Sequence, residues 1–423
     1  MTALLIILIF AVFAALMMTR RMPAILAVPA MAIVIAAVVG TPLAQILNEV
    51  IAGGAKRLVD AYLMVFAGAM LGRVVMQTGI AEGLIKRAAE FGGDRPLAVA
   101  VTLMIAVALL FTTLTGLGAI IMVGGLALPM MMSIGVPRKL AGVLFLLAYG
   151  LGYVFNIAAW GLYQKTLKLE TQGIGRFAAI LFVIDALAVI VFLLIAARRM
   201  SSYGAWAVAV KDKESEESRT KREVMLIALL VPLLPLALHK GLGWQVMPSF
   251  LASAMIGVLL TRPRETVQQL SSAAVRGLED VAAAIILMIG IGMLLTATEL
   301  PVVKAALGPL VQNLNFSSPL TFVLFFGLLS PLALYRGPLN FYGVGIGVYS
   351  LLGALGLLSP LALIAAVMSV VQVQNVCDPT NTHNVWVANY VGMRVEEITK
   401  QTLILKVAVC ACGLIAAAFL YLR

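Results

Sequence analysis

A polar segment lies inside an apolar run of the length that a membrane helix needs. Residues 372–384 read Gln-Val-Gln-Asn-Val-Cys-Asp-Pro-Thr-Asn-Thr-His-Asn, and apolar residues flank them at 361–368 and 385–388. Pro379 lacks a backbone donor and clashes with the preceding helical turn, so it predicts an opened helix near Asp378. Unpaired backbone groups persist at membrane depth only where protein or a water-filled cavity surrounds them. The segment therefore predicts a binding site within a discontinuous membrane helix.

The composition is that of a polytopic membrane protein. Of the 423 residues, 62% are hydrophobic and 12% are charged, and the mean hydropathy is +1.06. The net charge of +11 would favour nucleic-acid binding in a soluble domain, but most Lys and Arg residues fall in short loops, where they set membrane orientation. The three cysteines lie in apolar surroundings and predict neither a disulfide framework nor a metal site. We expect membrane lipids as partners and no nucleic acid.

The twelve apolar runs do not correspond to twelve simple membrane-spanning helices. They lie at about 2–18, 23–40, 59–79, 96–135, 140–164, 175–198, 223–240, 246–261, 280–298, 318–356, 360–390 and 401–422. The runs at 96–135 and 318–356 are too long for one crossing. The basic loops share one side of the membrane if the amino terminus is outside and each long run is a re-entrant hairpin. Residues 80–93 and 300–314 predict interfacial helices, and we interpret the amphipathic stretches 41–57 and 263–278 in the same way.

The two halves of the chain resemble each other. Residues 54–74 resemble residues 276–296, and each segment precedes an interfacial stretch, a hairpin and a run broken by polar residues. Because one half starts outside and the other inside, the repeats are inverted, as in secondary transporters. The predicted fold is an all-α polytopic membrane protein with two inverted-topology repeats, each containing a re-entrant helical hairpin and a discontinuous helix. The predicted domains are a first repeat at 1–198, a cytoplasmic linker at 199–222 and a second repeat at 223–423.

Four interruptions should meet at the centre of such a fold. They are the hairpin tips at 112–118 and 335–340 and the breaks at 156–160 and 375–384. A half-helix that begins at a tip directs unpaired N–H groups into the cavity and favours an anionic group. The predicted substrate-binding residues are Thr113, Thr115, Gly116, Gly118, Asn156, Arg336, Gly337, Asn340, Asn375, Thr380, Asn381 and Thr382. Their alternative roles are structural, in helix capping, in bonding back to their own helix, or in close helix packing.

Three ionisable residues are the sharpest signals. Arg336 lies near mid-depth in its run, where its planar fork suits a carboxylate and the alternative is a permanent ion pair with Asp378. Asp378 and His383 are the predicted coupling-ion residues, with the structural role open for both. A sodium ion near Asp378 is the metal that this pattern allows. We predict no other metal and no cofactor, because no His, Glu and Cys cluster has metal-ligand spacing.

The pattern resembles the ion transporter superfamily of secondary carboxylate permeases, and within it the gluconate and citrate permease branches. The resemblance rests on the inverted repeat with two hairpins, on Gly-Ala-Met-Leu-Gly-Arg at 68–73 with Gln-Thr-Gly at 77–79, and on Asp-Pro-Thr-Asn-Thr at 378–382. The Ser-Asn-Thr triplet that the sodium-coupled dicarboxylate members carry in both halves is absent here. The resemblance implies a homodimer with a fixed scaffold and a mobile transport part.

The predicted function is secondary active transport by alternating access. We expect symport of a small organic anion, a carboxylate such as a sugar acid or a citrate-like acid, with H⁺ or Na⁺, in a bacterial inner membrane with the amino terminus outside. The alternative is a cation/proton antiporter, in which Asp378 binds the cation and Arg336 is structural. We do not predict an enzyme, because the chain lacks a nucleophile with a base or paired catalytic carboxylates. Two inverted hairpins also suit alternating access better than a passive anion channel.

Overall fold

The structure is a computed structural model that describes residues 2–19, 21–93, 95–167, 173–200, 225–312, 316, 318–343 and 345–422. Within these residues the regular secondary structure is entirely helical. Six of the described helices are long and apolar enough to cross a membrane, and a bent pair adds a seventh span if it counts as one. The predicted linker at 199–222 lies outside the described residues except for positions 199 and 200, and the domain boundaries stay a prediction.

The helices follow the same order in both halves of the described chain. The first half contains α1 (Thr2–Met18), α2 (Ala24–Val38), α3 (Leu43–Gln77), α4 (Ile80–Gly92), α5 (Pro96–Phe111), α6 (Leu117–Ser133), α7 (Arg138–Tyr153), α8 (Ile157–Leu167) and α9 (Ile174–Met200). The second half contains α10 (Leu226–Gly241), α11 (Val246–Thr261), α12 (Thr266–Thr298), α13 (Pro301–Gln312), α14 (Pro319–Arg336), α15 (Gly345–Ala354), α16 (Pro360–Cys377), α17 (Thr382–Val391) and α18 (Val395–Tyr421). Each half therefore has a long helix, a hairpin (α5–α6, α14–α15), a broken helix (α7–α8, α16–α17) and a long last helix.

Two stretches differ from their sequence-based interpretation. Residues 41–57 belong largely to α3, through a π-helical segment at Ile46–Gly53, and most of residues 263–278 form the first turns of α12. They are not separate interfacial helices. The amphipathic faces have another cause, because α3 and α12 pack against each other along these turns and bury one face of each. The stretches near 80–93 and 300–314 do form separate helices, α4 and α13.

α3 and α12 cross in antiparallel orientation with close backbone contact at two places. A Cβ on Gly54, near the start of α3, would lie 2.6 Å from the Cα of Met293, near the end of α12. A Cβ on Gly277, near the start of α12, would lie 2.9 Å from the backbone nitrogen of Met70, near the end of α3. Exchanging the first half of the chain with the second turns each of these contacts into the other. This exchange is the internal two-fold symmetry that inverted repeats produce.

An ion pair closes each end of the α3–α12 crossing. Arg57 in the first half of α3 pairs with Glu299 just beyond the end of α12. Arg73 near the end of α3 pairs with Asp280 near the start of α12 through both carboxylate oxygens. The pairs join the two halves of the chain and lie at equivalent ends of the crossing. They fix the register between the long helices of the two repeats.

The broken helices place polar residues inside the bundle. α7 and α8 meet at an angle of 57°. α16 is buried from Ala362 to Cys377, and residues 378–381 separate it from α17. α14 ends abnormally, since Leu334 has an extended backbone and both Tyr335 and Arg336 have positive φ, at 55° and 59°. Non-helical backbone at this depth is surrounded by protein and borders a cavity, as the absence of water in a bilayer requires.

Candidate functional site

A cavity of about 1180 Å³ lies between the two hairpin tips, the second broken helix and the long helices. Its lining includes nine residues predicted from sequence: Thr115, Gly116, Gly118, Arg336, Asn375, Thr380, Asn381, Thr382 and His383. The opposite wall comes from the α1–α2 connection, α3 and α12. The cavity thus lies between the crossing of the long helices and the interrupted helices.

Five other predicted residues do not line this cavity. Thr113, Asn156, Asn340 and Asp378 are almost completely buried beside the hairpin tips, and Gly337 is buried in the second tip. The backbone atoms of Gly337 approach Leu332 so closely that a Cβ would overlap its carbonyl oxygen. The structure therefore places these residues behind the cavity lining, next to the hairpin tips that form part of it.

The Asp378 carboxylate holds the second hairpin tip. Its Oδ1 accepts hydrogen bonds from the backbone nitrogen of Tyr335 at 2.9 Å and from the nitrogen and hydroxyl of Thr380 at 2.9 and 2.7 Å. Its Oδ2 accepts from Nδ2 of Asn340 at 3.1 Å. These donors occupy the lone pairs of a fully buried carboxylate. The geometry favours a positioning role for Asp378 over direct cation binding.

Asn156 holds the first hairpin tip. Its Nδ2 donates to the backbone oxygens of Phe111 and Leu114, at 3.0 and 3.2 Å. Its Oδ1 accepts from the backbone nitrogen of Ala159 at 3.0 Å, which caps the start of α8. One buried side chain thus joins the break of α7–α8 to the tip of the first hairpin.

Arg336 extends into the cavity from a strained backbone. The structure gives it one hydrogen bond, from Nη1 to the backbone oxygen of Tyr342 at 3.3 Å. No ion pair within 4.0 Å joins Arg336 to a described carboxylate, although the Asp378 carboxylate is near enough to interact with it electrostatically. The left-handed conformation of Tyr335 and Arg336 costs about 1–2 kcal/mol per residue. The hydrogen bond from Tyr335 to Asp378 holds this conformation.

Two buried polar atoms at the cavity lack a partner among the described residues. They are Nδ2 of Asn375, a residue that is 3% exposed, and Oγ1 of Thr115. A buried donor or acceptor without a partner costs about 1–3 kcal/mol. The backbone oxygen of Asn375 is paired, because it accepts from Nε2 of His383 at 2.7 Å, which assigns the ring proton to Nε2. Both unpaired atoms are suited to bind a polar ligand.

Aromatic residues that the sequence patterns did not predict form one wall of the cavity. Tyr149, Tyr153 and Tyr342 line the cavity. The hydroxyls of Tyr153 and Tyr342 share a hydrogen bond, and the ring centroids of Tyr149 and His383 lie 4.8 Å apart. Tyr149 and Tyr153 are four residues apart on α7, which places them on one helix face directly before the Asn156 break. That spacing is the signal that could have identified them.

The Arg73–Asp280 pair is a second feature that spacing along the chain did not predict. Both residues line the cavity. Asp280 lies against the first hairpin tip, where a Cβ on Gly118 would overlap its carboxylate. The pair therefore connects the α3–α12 crossing to the start of α6.

Comparisons with known proteins bear on the fold. No family model matches the chain, and no curated protein matches it in sequence. Among solved structures it is similar to the YdaH transporter of Alcanivorax borkumensis, a crystal structure described as having an unusual topology. The TM-score is 0.60 over 88% of this chain and 87% of that one, with 15% sequence identity. The chain has the fold of a membrane transporter. The predicted fold class is confirmed, and the assignment to the ion transporter superfamily, with its gluconate and citrate permease branches, stays a prediction.

Proposed function

We propose that the protein is a secondary active transporter that carries a small organic anion together with H⁺ or Na⁺. The observation that supports this most is Arg336, a cation that forms no close ion pair within the described part of the chain and faces a cavity of about 1180 Å³. An unpaired arginine at membrane depth is costly, and a bound carboxylate would offset that cost through a bidentate, charge-assisted pair.

Two helix starts support an anionic substrate. α6 begins after Gly116 and α17 begins after Asn381, and both of these N-cap residues line the cavity. Neither helix start has a side-chain cap hydrogen bond. Free backbone N–H groups and the positive end of the helix dipole at each start favour negative charge. The carboxylate would therefore bind between Arg336 and these two helix starts.

The unpaired polar atoms favour a substrate with hydroxyl groups. Nδ2 of Asn375 and Oγ1 of Thr115 would bind hydroxyls, and Thr382 adds a further hydroxyl at the cavity. A sugar acid combines one carboxylate with several hydroxyls and fits this set. The cavity also has room for bound water beside such a ligand, since ligand pockets commonly measure about 300–1,000 Å³.

Coupling and assembly complete the proposal. The protein would work by alternating access as a homodimer in a bacterial inner membrane, with its amino terminus outside. His383 faces the cavity and is a candidate proton carrier. Asp378 would act through the position of the second hairpin tip, and a sodium ion near it is the alternative coupling cation.

A cation/proton antiporter is the second candidate. The observation that favours it is the acidic side of the cavity, where Glu279 is exposed beside Asp280. In that case cations would bind and organic anions would not.

Thermal unfolding of the purified protein separates the two candidates. Unchanged protein, Arg336→Gln and the exposed control Arg264→Gln are each heated with a panel of organic acids, with and without sodium, at acidic and neutral pH. A ligand of the folded state raises the unfolding midpoint by mass action. Transport of an anion predicts a shift with one acid that Arg264→Gln retains and Arg336→Gln loses. Shifts of the unfolding midpoint with cations alone, and with none of the acids, would support the antiporter.

A further inference from the structure

Asp185 and Lys406 form an ion pair in the interior of the protein. Nζ of Lys406 lies 2.7 Å from both carboxylate oxygens of Asp185, and both side chains are 0% exposed. Removing two charges from water is costly, so a pair at such depth is a weak means of stabilising a fold. In a membrane segment, buried ionisable residues mark ion pathways and proton relays.

The two residues occupy equivalent positions in the inverted repeats. α9 and α18 are the last helices of their halves, and each is 27 residues long. Asp185 is the twelfth residue of α9, and Lys406 is the twelfth residue of α18. Equivalent residues that touch lie on the pseudo-two-fold axis, and in inverted repeats this axis runs in the membrane plane. The pair therefore lies near the middle of the membrane, where transporters with inverted repeats place their substrate and ion sites.

Both broken helices reach this pair. Oε1 of Gln372 on α16 lies 3.5 Å from Nζ of Lys406, and a Cβ on Gly150 of α7 would lie 3.1 Å from the same nitrogen. One helical turn along α16 from Gln372 is Asn375, which lines the cavity, and Tyr149 beside Gly150 lines it too. A movement of either broken helix would change the surroundings of the ammonium.

The titratable surroundings of the pair are limited. α16 contributes the Cys377 thiol, which interacts electrostatically with both Asp185 and Lys406. Asp378 follows it, and protein donors occupy that carboxylate. On α7 the residue that approaches the pair is Gly150, which has no titratable side chain. Asp378 is thus bonded to backbone, amide and hydroxyl donors, whereas Asp185 is bonded to the titratable side chain of Lys406.

We propose that Asp185 and Lys406 form the proton-binding site that couples anion transport to a proton gradient. The proposal rests on the proposed function and names its coupling ion. A proton from the water on one side binds the Asp185 carboxylate, and the charge of the pair changes from zero to +1. Lys406 then retains Gln372 as its partner. Release of the same proton to the other side restores the pair. The ammonium already occupies the space between carboxylate and amide oxygens that a sodium ion would need.

Two double variants test the site without leaving a single charge unpaired. Asp185→Asn with Lys406→Met removes both charges. Asp185→Lys with Lys406→Asp exchanges them between positions that the internal symmetry makes equivalent. The control, Arg57→Met with Glu299→Gln, neutralises the ion pair at the α3–α12 crossing instead. Each protein is reconstituted into sodium-free liposomes that contain a pH-sensitive dye, and gluconate is the probe.

Two readouts separate coupling from folding. The neutral variant should keep the exchange of labelled gluconate across the membrane and lose gluconate-driven proton uptake, whereas the exchanged variant and the control keep both. Gluconate-driven proton uptake by the neutral variant at the level of unchanged protein would overturn the proposal.

A measurement without substrate keeps the test decisive if gluconate is not carried, an outcome that would count against the proposed function alone. The unfolding midpoints of the same proteins are recorded between about pH 5 and pH 9, because a site that binds a proton differently in the folded and unfolded states makes stability depend on pH. Unchanged, exchanged and control proteins should share a pH-dependent change that the neutral variant lacks. Parallel profiles for all four would exclude a proton site at this pair.

Discussion

Asn156 and Asp378 perform the same task in the two repeats by opposite chemistry. Each lies at the break of its broken helix and holds the tip of the hairpin in its own half. Asn156 donates to two backbone oxygens of the first tip, whereas Asp378 accepts from a backbone nitrogen and a side-chain amide of the second. The tip that carries Arg336 is therefore held by a buried negative charge, and the other tip by a neutral amide.

Replacement of Asp378 by Asn should release the second tip. An amide has one acceptor oxygen, so it cannot accept both from Tyr335 and Thr380 on one side and from Asn340 on the other, and at least one buried donor loses its acceptor. We expect a loss of about 1–3 kcal/mol in the free energy of unfolding. Faster hydrogen exchange should be confined to residues 330–343. Asn156→Asp is the matched variant, and it should loosen the first tip instead. Unchanged exchange at 330–343 in Asp378→Asn would contradict the positioning role.

Gly118 should be intolerant of a methyl group for a reason specific to its neighbour. A Cβ there overlaps the Asp280 carboxylate, which Arg73 holds in place. We expect Gly118→Ala to cost about 1–3 kcal/mol of stability through overpacking. In an Asp280→Ala background the same substitution should cost much less, because the clash is gone. Additive effects in this double-mutant cycle would show that Asp280 does not press on the first hairpin tip.

The α3–α12 crossing should respond alike to substitutions in either half. Gly54→Ala and Gly277→Ala each place a Cβ within 3.0 Å of the opposing backbone, which has no room to yield. We expect each to lower the free energy of unfolding by about 1–3 kcal/mol. Gly125→Ala on α6 is the control, because its Cβ meets nothing within 4 Å and alanine favours a helix. If Gly54→Ala is destabilising and Gly277→Ala is neutral, the internal symmetry of the crossing is not maintained in solution.

The overall order of elements was predictable because its signals are local. Apolar runs, the proline at 379 and the polar residues near 156 and 378 each act on the backbone within a few residues. The same locality explains the misinterpretation of residues 41–57 and 263–278. Their amphipathic pattern indicates one apolar and one polar face, but the sequence does not say that the buried face packs on the other repeat instead of on lipid.

The side-chain pairs of the site were not predictable in the same way. Arg73 and Asp280 are 207 residues apart, and Lys406 and Asp185 are 221 apart. No spacing along the chain connects such partners. The separation of Lys406 and Asp185 is close to the offset of 222 residues that relates residues 54–74 to 276–296, whereas that of Arg73 and Asp280 is not, because antiparallel helices bring together residues from opposite ends.

Asn375 and Gln374 should respond to leucine in opposite directions, although they are neighbours on α16. Nδ2 of Asn375 is buried without a partner and lines the cavity, so Asn375→Leu removes an unsatisfied donor and should leave the ligand-free protein equally stable or more stable. Oε1 of Gln374 accepts from the backbone nitrogen of Phe341 at 2.8 Å, and Gln374→Leu should cost about 1–3 kcal/mol by leaving that buried donor unpaired. The two variants should also differ in how much the substrate stabilises them. The unfolding shift with the anion that stabilises unchanged protein should fall in Asn375→Leu, because the donor is lost from the site. A stable Asn375→Leu protein with an undiminished shift would mean that the substrate does not reach Asn375, and would move the hydroxyl contacts toward Thr115 and Thr382.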